Sequence, residues 1–297
     1  MEKKQIGNCT LYLGKMENTI HQIHGVNHIL TDPPYLYIKT HDFDREWDEQ
    51  LFFENAKRLL PDDGFIALFG RGTSFYRWNT RLADLGFVFK EEIVWDKRYT
   101  TAPCIALSRV HETISLHTKK TGKIRRSKVP YTEQKQNNIQ SIIDDIKKIK
   151  SAINTEAGLN KVLAFLQGGE LYELEAVDKH CISQQPGIKK PDRASAVINS
   201  IKNGMNEKSI LTLAGSHYNN AHPTEKPVRL AERILALISD PGDTIYDHFM
   251  GSGSFGVACI NTGRKYIGSE MKPEYFAIAC KRMKEATEQA GLFAEAI

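Results

Sequence analysis

Several features are missing from this 297-residue sequence. No apolar run approaches the ~20 residues that a membrane-spanning helix needs, and Met1-Glu2-Lys3-Lys4-Gln5 lacks the apolar core of a secretory signal. Cysteine is scarce. Cys9, Cys104, Cys181, Cys259 and Cys280 are odd in number, widely spread and never arranged as C-x-x-C. That excludes a disulfide framework and a zinc site as organising features, so we expect a cytoplasmic protein that uses no metal. His21 and His24 have H-x-x-H spacing but no evident third ligand, and are expected to be surface residues. No internal repeat is present, and a net charge of +4 excludes little by itself.

What is present is the composition of a folded protein, 41% hydrophobic and 26% charged, long enough for one large domain or two ordinary ones. The charge is unevenly placed. Between Lys97 and Lys135 ten basic residues face only Glu112 and Glu133, so this window carries +8 and the remainder of the chain −4. Such asymmetry suits a polyanion, although a solvated basic surface has the same composition.

Residues 1–118 alternate strand-like and helix-like patterns. Val26–Thr31 reads as a strand halted by Asp32-Pro33-Pro34-Tyr35. Glu46–Leu60 has helical spacing, Phe65–Phe69 is a buried-strand run, and Ser74–Leu85 is a helix. Phe87–Trp95 and His111–Thr118 are strand-like. Residues 119–220 break this rhythm with a basic loop and then helical patterns, among them a stripe of Ile142, Ile143, Ile146 and Ile149. The stripe is expected to pack within an inserted, mainly helical region. Over 221–297 the rhythm resumes: a helix over about Glu225–Ile238 with Pro227 in its first turn, the strand Thr244–Asp247, a glycine loop and helix, a strand toward Glu270, and a last helix after Pro273. The two flanking parts, 1–118 and 221–297, together make one α/β sheet with crossovers.

Asp247-His248-Phe249-Met250-Gly251-Ser252-Gly253 lies between a strand and a helix. Glycines allow close approach of backbone to a ligand, and helix-start N–H groups favour an anion. Glu270, at the end of the next strand, can accept hydrogen bonds from ribose hydroxyls. A nicotinamide dinucleotide and S-adenosylmethionine both satisfy this pattern.

Asp32-Pro33-Pro34-Tyr35 should lie at the carboxyl edge of the sheet, where α/β folds bind ligands. The prolines make the turn rigid. A carboxylate beside a free Pro33 carbonyl is a double acceptor suited to a planar NH2 group. Drawing both protons of an aromatic amine toward fixed acceptors frees its lone pair for attack on a methyl sulfonium and stabilises the charge that develops. Tyr35 offers a face for stacking on a base. A dehydrogenase has no use for such a device.

With these blocks and His222-Pro223-Thr224-Glu225-Lys226-Pro227, the chain resembles the permuted β group of DNA amino-methyltransferases, in which the catalytic motif precedes the cofactor loop. The resemblance covers roughly residues 7–118 and 217–297. It implies a Rossmann-like, circularly permuted methyltransferase sheet with S-adenosylmethionine as cofactor, 119–220 being a target-recognition insertion. It further implies that Asp32 and Pro33, stiffened by Pro34, bind the target amine while Tyr35 stacks on a flipped base. Asp247, Phe249, Gly251, Ser252 and Gly253 would surround the cofactor, Glu270 its ribose, and Thr224 and Lys226 its methionine end. Trp95-Asp96-Lys97 resembles the family's Trp-x-Lys block. His248 stands where proline is common, Ser254 where threonine is common, and Lys15 follows Gly14 where Gly-Asp is frequent.

An aspartate at the head of the catalytic block leans toward adenine N6 in double-stranded DNA, with base extrusion. Cytosine N4, an RNA amine or a catalytically silent DNA-binding subunit are the alternatives. Arg125, Arg126 and Lys128 are expected to contact phosphates, and a homodimer is the expected assembly.

Overall fold

The computed structural model describes residues 2–35, 46–99, 106–136, 138–167, 193–214 and 225–295. The chain divides into two compact units, Met1–Arg125 with Lys208–Ile297, and Arg126–Glu207.

The first unit begins with β1 (Glu2–Ile6), β2 (Cys9–Leu13), α1 (Met16–Thr19), β3 (His28–Thr31), α2 (Glu49–Leu59), β4 (Phe65–Gly70), α3 (Gly72–Asp84), β5 (Val88–Asp96) and β6 (His111–Thr118). The second unit holds β7 (Lys128–Val129), α4 (Tyr131–Lys135), α5 (Ile139–Ile153), α6 (Glu156–Leu166), α7 (Arg193–Asn203) and β8 (Met205–Asn206). The chain then returns to the first unit with β9 (Ile210–Thr212), α8 (Val228–Ile238), β10 (Thr244–Asp247), α9 (Ser254–Asn261), β11 (Lys265–Glu270) and α10 (Pro273–Glu295).

Nine of the described strands form one sheet in the order β1-β2-β11-β10-β3-β4-β6-β5-β9. The five strands from β2 to β4 in that order are parallel, and β6 is antiparallel to both of its neighbours. Strand alternation sorts the core. Leu30, Phe65, Ala67, Phe69 and Ile245 face a cluster with Leu230, Ile234, Phe255 and Met283 of α8, α9 and α10. Ile29, Ile66, Leu68 and Tyr246 face the other layer, with Phe52, Phe53, Trp78 and Leu82 of α2 and α3. Burial on both faces is why these strands read as continuous apolar runs rather than as alternation.

The expected α/β sheet is therefore present, and the strand that precedes the Asp-Pro-Pro-Tyr turn comes earlier in the chain than the strand that precedes the glycine loop. β3 connects through α2 to β4 on one side, and β10 through α9 to β11 on the other. These connections diverge where β3 lies beside β10, which opens a crevice at their carboxyl ends, the ligand position of open α/β folds.

Boundaries moved in a few places for local reasons. The α2 helix starts at Glu49 because the Asp48 carboxylate caps it, accepting from Leu51 N at 2.8 Å. Pro227 is the N-cap of α8 and not a residue of its first turn. The strands β1, β2 and β9 were not foreseen from sequence.

Residues 119–125 belong to the first unit, contrary to a boundary at 119. Lys119 N donates to Gly64 O, Lys120 N and Thr121 N to Asp62 O, and Arg125 N to Leu237 O, at 2.8–3.0 Å. This stretch runs along the amino ends of the strands, the edge opposite Asp32.

In the second unit Asp145 is buried on α5 and draws three side chains together, taking a hydrogen bond from Tyr131 Oη (2.8 Å) and pairing with Lys135 and Lys148 (both 2.7 Å). Of the isoleucine stripe, Ile142 and Ile149 are half-buried while Ile143 and Ile146 are exposed. Ile142, Ile146 and Ile149 share one helix face, yet Ile146 on that face is left exposed, so the stripe is only partly packed. Among the described residues no helix is long and apolar enough to cross a membrane.

Gly122 is where the basic stretch closes on the sheet. A Cβ there would lie 2.4 Å from Thr118 Oγ1, 2.5 Å from Asp63 O and 2.6 Å from the Phe65 ring. We expect Gly122→Ala to destabilise the protein by about 1–3 kcal/mol through overpacking. Denaturant unfolding measures it, and an unchanged midpoint would show that the stretch is not docked in this way.

Candidate active site

The tetrapeptide Asp32-Pro33-Pro34-Tyr35 leaves β3 at the carboxyl edge. Its backbone is held from outside the turn, since prolines contribute no donor of their own. Trp47 Nε1 donates to Pro34 O at 3.1 Å and Ser74 Oγ to Tyr35 O at 2.7 Å. Among the described residues none donates to the Pro33 carbonyl. Trp47 also packs its ring at 5.1 Å from Phe249 and 5.6 Å from Trp78, so it joins the catalytic turn to the glycine loop.

The Asp32 side chain sits in a run of alternating charges. Its Oδ1 accepts from Tyr35 Oη at 2.5 Å and its Oδ2 from the Lys226 ammonium. Lys226 Nζ is 3.4 Å from Glu112 Oε2, an ion pair without a hydrogen bond, and Glu112 Oε1 accepts from Lys97 Nζ at 2.8 Å. The side chains of Lys226, Lys97, Glu112 and Asp32 are only 7, 10, 13 and 18% exposed. Burial raises the Asp32 carboxyl above its usual range against the pull of Lys226. Glu112 is lowered, because Lys226 and Lys97 together outweigh its burial. Lys226, between two carboxylates, is held firmly protonated despite its burial. Burial beside Asp32 keeps the Tyr35 hydroxyl neutral well above its ordinary range.

The glycine loop joins β10 to α9. Gly251 and Gly253 have φ of +54° and +82°, values that side-chain-bearing residues rarely adopt. A Cβ on Gly253 would also meet Met283 Cε at 2.8 Å and Ala279 Cβ at 2.9 Å. Arg282 of α10 clamps the loop by donating to Ser252 O (3.0 Å) and Ser252 Oγ (2.8 Å), and it pairs with Glu225 at 2.9 Å. Glu270 closes β11 and accepts from Gly251 N at 2.9 Å and Lys272 N at 2.8 Å. A carboxylate has lone pairs left for further donors. A tight glycine turn beside a carboxylate at the next strand end fits a nucleoside with two ribose hydroxyls.

Asp247, expected among the residues that surround the cofactor, is enclosed beneath the glycine loop. It is buried, and it accepts from Thr31 Oγ1 (2.8 Å), Phe249 N (3.0 Å) and Tyr266 Oη (3.1 Å). It thereby ties β3, β10 and β11 together under the crevice. His248 is also buried, its ring 4.0 Å from Tyr246 and 4.4 Å from Phe52. Neither ring nitrogen has a hydrogen-bond partner among the described residues, and burial keeps it neutral, well below its usual pKa. It fills apolar space, as a proline would.

The structure thus brings together Asp32, Pro33, Pro34, Tyr35, Lys226, Phe249, Gly251, Ser252, Gly253 and Glu270. Lys226 lies on Asp32. Thr224 lies outside the described residues. Arg125 is turned away from this edge, its guanidinium held by Asp240 at 2.6 and 2.9 Å, which is a structural clamp rather than a free phosphate contact. Arg126 and Lys128 are exposed on the second unit. Sequence reasoning missed Glu112, Ser74, Glu225, Arg282 and Trp47. An acidic residue in the strand-like stretch that follows the Trp-x-Lys block was the available signal for Glu112.

Residues 26–281 match the family described as DNA methylase, of the N6/N4 group. Among curated proteins, 67 residues are 45% identical to the Type II methyltransferase M2.DpnII of Streptococcus pneumoniae, covering 23% of this chain and 25% of that protein. A further match of 66 residues, 22% of each chain, is 43% identical to the DNA adenine methyltransferase YhdJ of Escherichia coli (strain K12). These stretches span a quarter or less of those relatives' length. The solved structure of the M1.HpyAVI–SAM complex has a TM-score of 0.56 at 21% identity, over 92% of this chain and 99% of that one. The cytosine-N4-specific PvuII DNA methyltransferase has a TM-score of 0.57 at 16% identity, over 97% and 93%. At these identities the likeness is one of fold.

Burial raises Asp247 to about 7, against the hydrogen bonds that lower it. The folded chain therefore keeps a proton between the ordinary aspartate value of about 4 and about 7, where the unfolded chain has lost it. This group's contribution makes stability fall as pH rises through that window and level off above it. Asp247→Asn removes the slope. The difference in unfolding free energy between Asp247→Asn and wild type should move in favour of Asn as pH rises from about 4 to about 7. A difference independent of pH would count against a protonated Asp247.

Proposed function

Because this chain belongs to the DNA methylase family, we propose that it transfers a methyl group from S-adenosylmethionine to the N6 amino group of adenine in double-stranded DNA. The observation that carries this reading is the placement of Asp32 and the Pro33 carbonyl at the crevice where β3 and β10 diverge, beside the glycine loop and Glu270. When bound, S-adenosylmethionine supplies an electrophilic methyl carbon whose bond to sulfur breaks as the bond to nitrogen forms.

The chain's own residues do the rest. Glu270 would take the ribose hydroxyls, and Gly251, Ser252, Gly253 and Phe249 would hold the cofactor. Asp32 and the Pro33 carbonyl accept hydrogen bonds from the two amine N–H groups and hold the nitrogen lone pair out of the ring. Both acceptors are in place before charge develops on nitrogen, so little reorganisation is needed at the transition state. After transfer the positively charged nitrogen gives up the proton hydrogen bonded to Asp32, whose carboxylate takes it and releases it to water. Trp47 and Ser74 keep the turn from relaxing, and Tyr35 stacks on the base.

Extruding a paired adenine costs a few kcal/mol. We assign phosphate contacts to Arg126 and Lys128 and base reading to the second unit. Adenine is favoured over cytosine N4 by the leading aspartate and by adenine in the name of YhdJ. The double acceptor alone suits either amine.

Tritium transfer from labelled cofactor to unmethylated duplex DNA tests the reading. We expect N6-methyladenine in the digested product and a loss of at least about 10²–10³-fold for Asp32→Ala, the scale for removing a preorganised charge-stabilising group. Undiminished transfer by Asp32→Ala defeats the assignment, and N4-methylcytosine in the digest redirects it to cytosine.

A further inference from the structure

We propose that Lys226 exchanges carboxylates during the reaction, leaving Asp32 for Glu112 when the target amine arrives, and that Glu112 is the positioning residue that makes the exchange possible. The inference rests on the methyl-transfer reading above.

Without a base in place, both Asp32 oxygens are engaged, Oδ1 by the Tyr35 hydroxyl and Oδ2 by Lys226. Each oxygen keeps a second lone pair, but an amine that donates there shares the carboxylate with the lysine's charge. The ammonium also cancels the negative potential just where positive charge must develop on nitrogen, so a cation left in place opposes the reaction. Glu112 provides the alternative. Its Oε1 is fixed by Lys97 at 2.8 Å, while its Oε2 is buried, makes no hydrogen bond and lies 3.4 Å from Lys226 Nζ. Among the described residues Oε2 is ion-paired with Lys226 but has no closer donor. Here it is an unused acceptor within reach of the one cation that has to move.

Closing 3.4 Å to a normal charge-assisted length of about 2.8 Å completes the Glu112 bond but by itself leaves the ammonium within reach of both carboxylates, so parting from Asp32 requires the lysine side chain to rotate further toward Glu112. The Phe69 ring, 5.3 Å from Lys226 Nζ, offers its face to the ammonium beside this path. Lys97 balances the second negative charge, so the cluster remains neutral in both arrangements. No proton is transferred in the exchange, and among the described residues the charged groups on Lys226 are Asp32 and Glu112, with Phe69 beside it, Tyr35 behind Asp32 and Lys97 behind Glu112.

Single-turnover methyl transfer is to be measured for wild type, Glu112→Gln, Lys226→Met and the double variant, together with cofactor affinity by calorimetry. We expect Glu112→Gln to slow transfer by about 10–100-fold, the usual scale for losing a group that orients an essential one, with cofactor affinity and KM for DNA unchanged. In the Lys226→Met background the same substitution should add no further loss, because it acts through the lysine. Losses that multiply in the double variant overturn the proposal.

A second measurement does not depend on the variants folding. In a crystal structure with an adenine-containing duplex and an unreactive cofactor analogue, Lys226 should be hydrogen bonded to Glu112 and parted from Asp32. Lys226 still on Asp32 with the base in place overturns the exchange. Absence of any transfer by the wild-type chain removes the proposed function and this inference with it, whereas transfer with multiplying losses removes this inference alone.

Discussion

Lys97, Glu112, Lys226 and Asp32 share a site with little water, and their mutual neutralisation is what the rest of the crevice depends on. Taking each ion out of water costs several kcal/mol, and the arrangement holds only because the signs alternate at short range. Removing one member of a buried set of this kind typically costs about 3–5 kcal/mol. The four residues come from the end of β5, the start of β6, the N-terminal approach to α8 and the end of β3. Satisfying their charges therefore fixes where three strands and one helix meet. The Asp-Pro-Pro-Tyr turn inherits its position from that arrangement, and Trp47 and Ser74 supply the hydrogen bonds that its prolines cannot.

Two other carboxylates at the same sheet edge have different environments and so suit different tasks. Asp247 is enclosed, receives three donors and rises to about 7, which makes it a brace between strands. Glu270 is also raised by burial, but it receives backbone donors from either side of its own strand end, which leaves its oxygens oriented by the loop they would serve. Asp32 differs from both in resting on a mobile type of partner, a lysine side chain, rather than on backbone. Burial that penalises a carboxylate is tolerated here where function needs an acceptor fixed in advance.

Much of the fold was legible in the chain itself. β3, β4 and β10 were recognisable because parallel strands buried on both faces need unbroken apolar runs, and the helices because their apolar spacing ends at prolines and glycines. β1 was not, since Glu2-Lys3-Lys4-Gln5 faces solvent at the sheet edge and so lacks a hydrophobic signature. β9 has only three residues, too few for any period. Of the site, the residues in short motifs were legible as candidates: Asp32 to Tyr35, Phe249 to Gly253 and Glu270.

The primary sequence alone determined the chemistry available at each motif: a rigid turn with two acceptors, a glycine loop that tolerates positive φ, and a carboxylate placed to follow it. Only the tertiary structure decided which charges meet. Lys226 reads as a neighbour of the cofactor motif but lies 194 residues from the aspartate it touches. Arg125 reads as part of a basic run but finds Asp240, 115 residues away. Local pattern encodes backbone conformation and burial, because those depend on near neighbours. Coulombic partners depend on which strand ends the sheet order brings together, and that order is set by packing across the whole sheet.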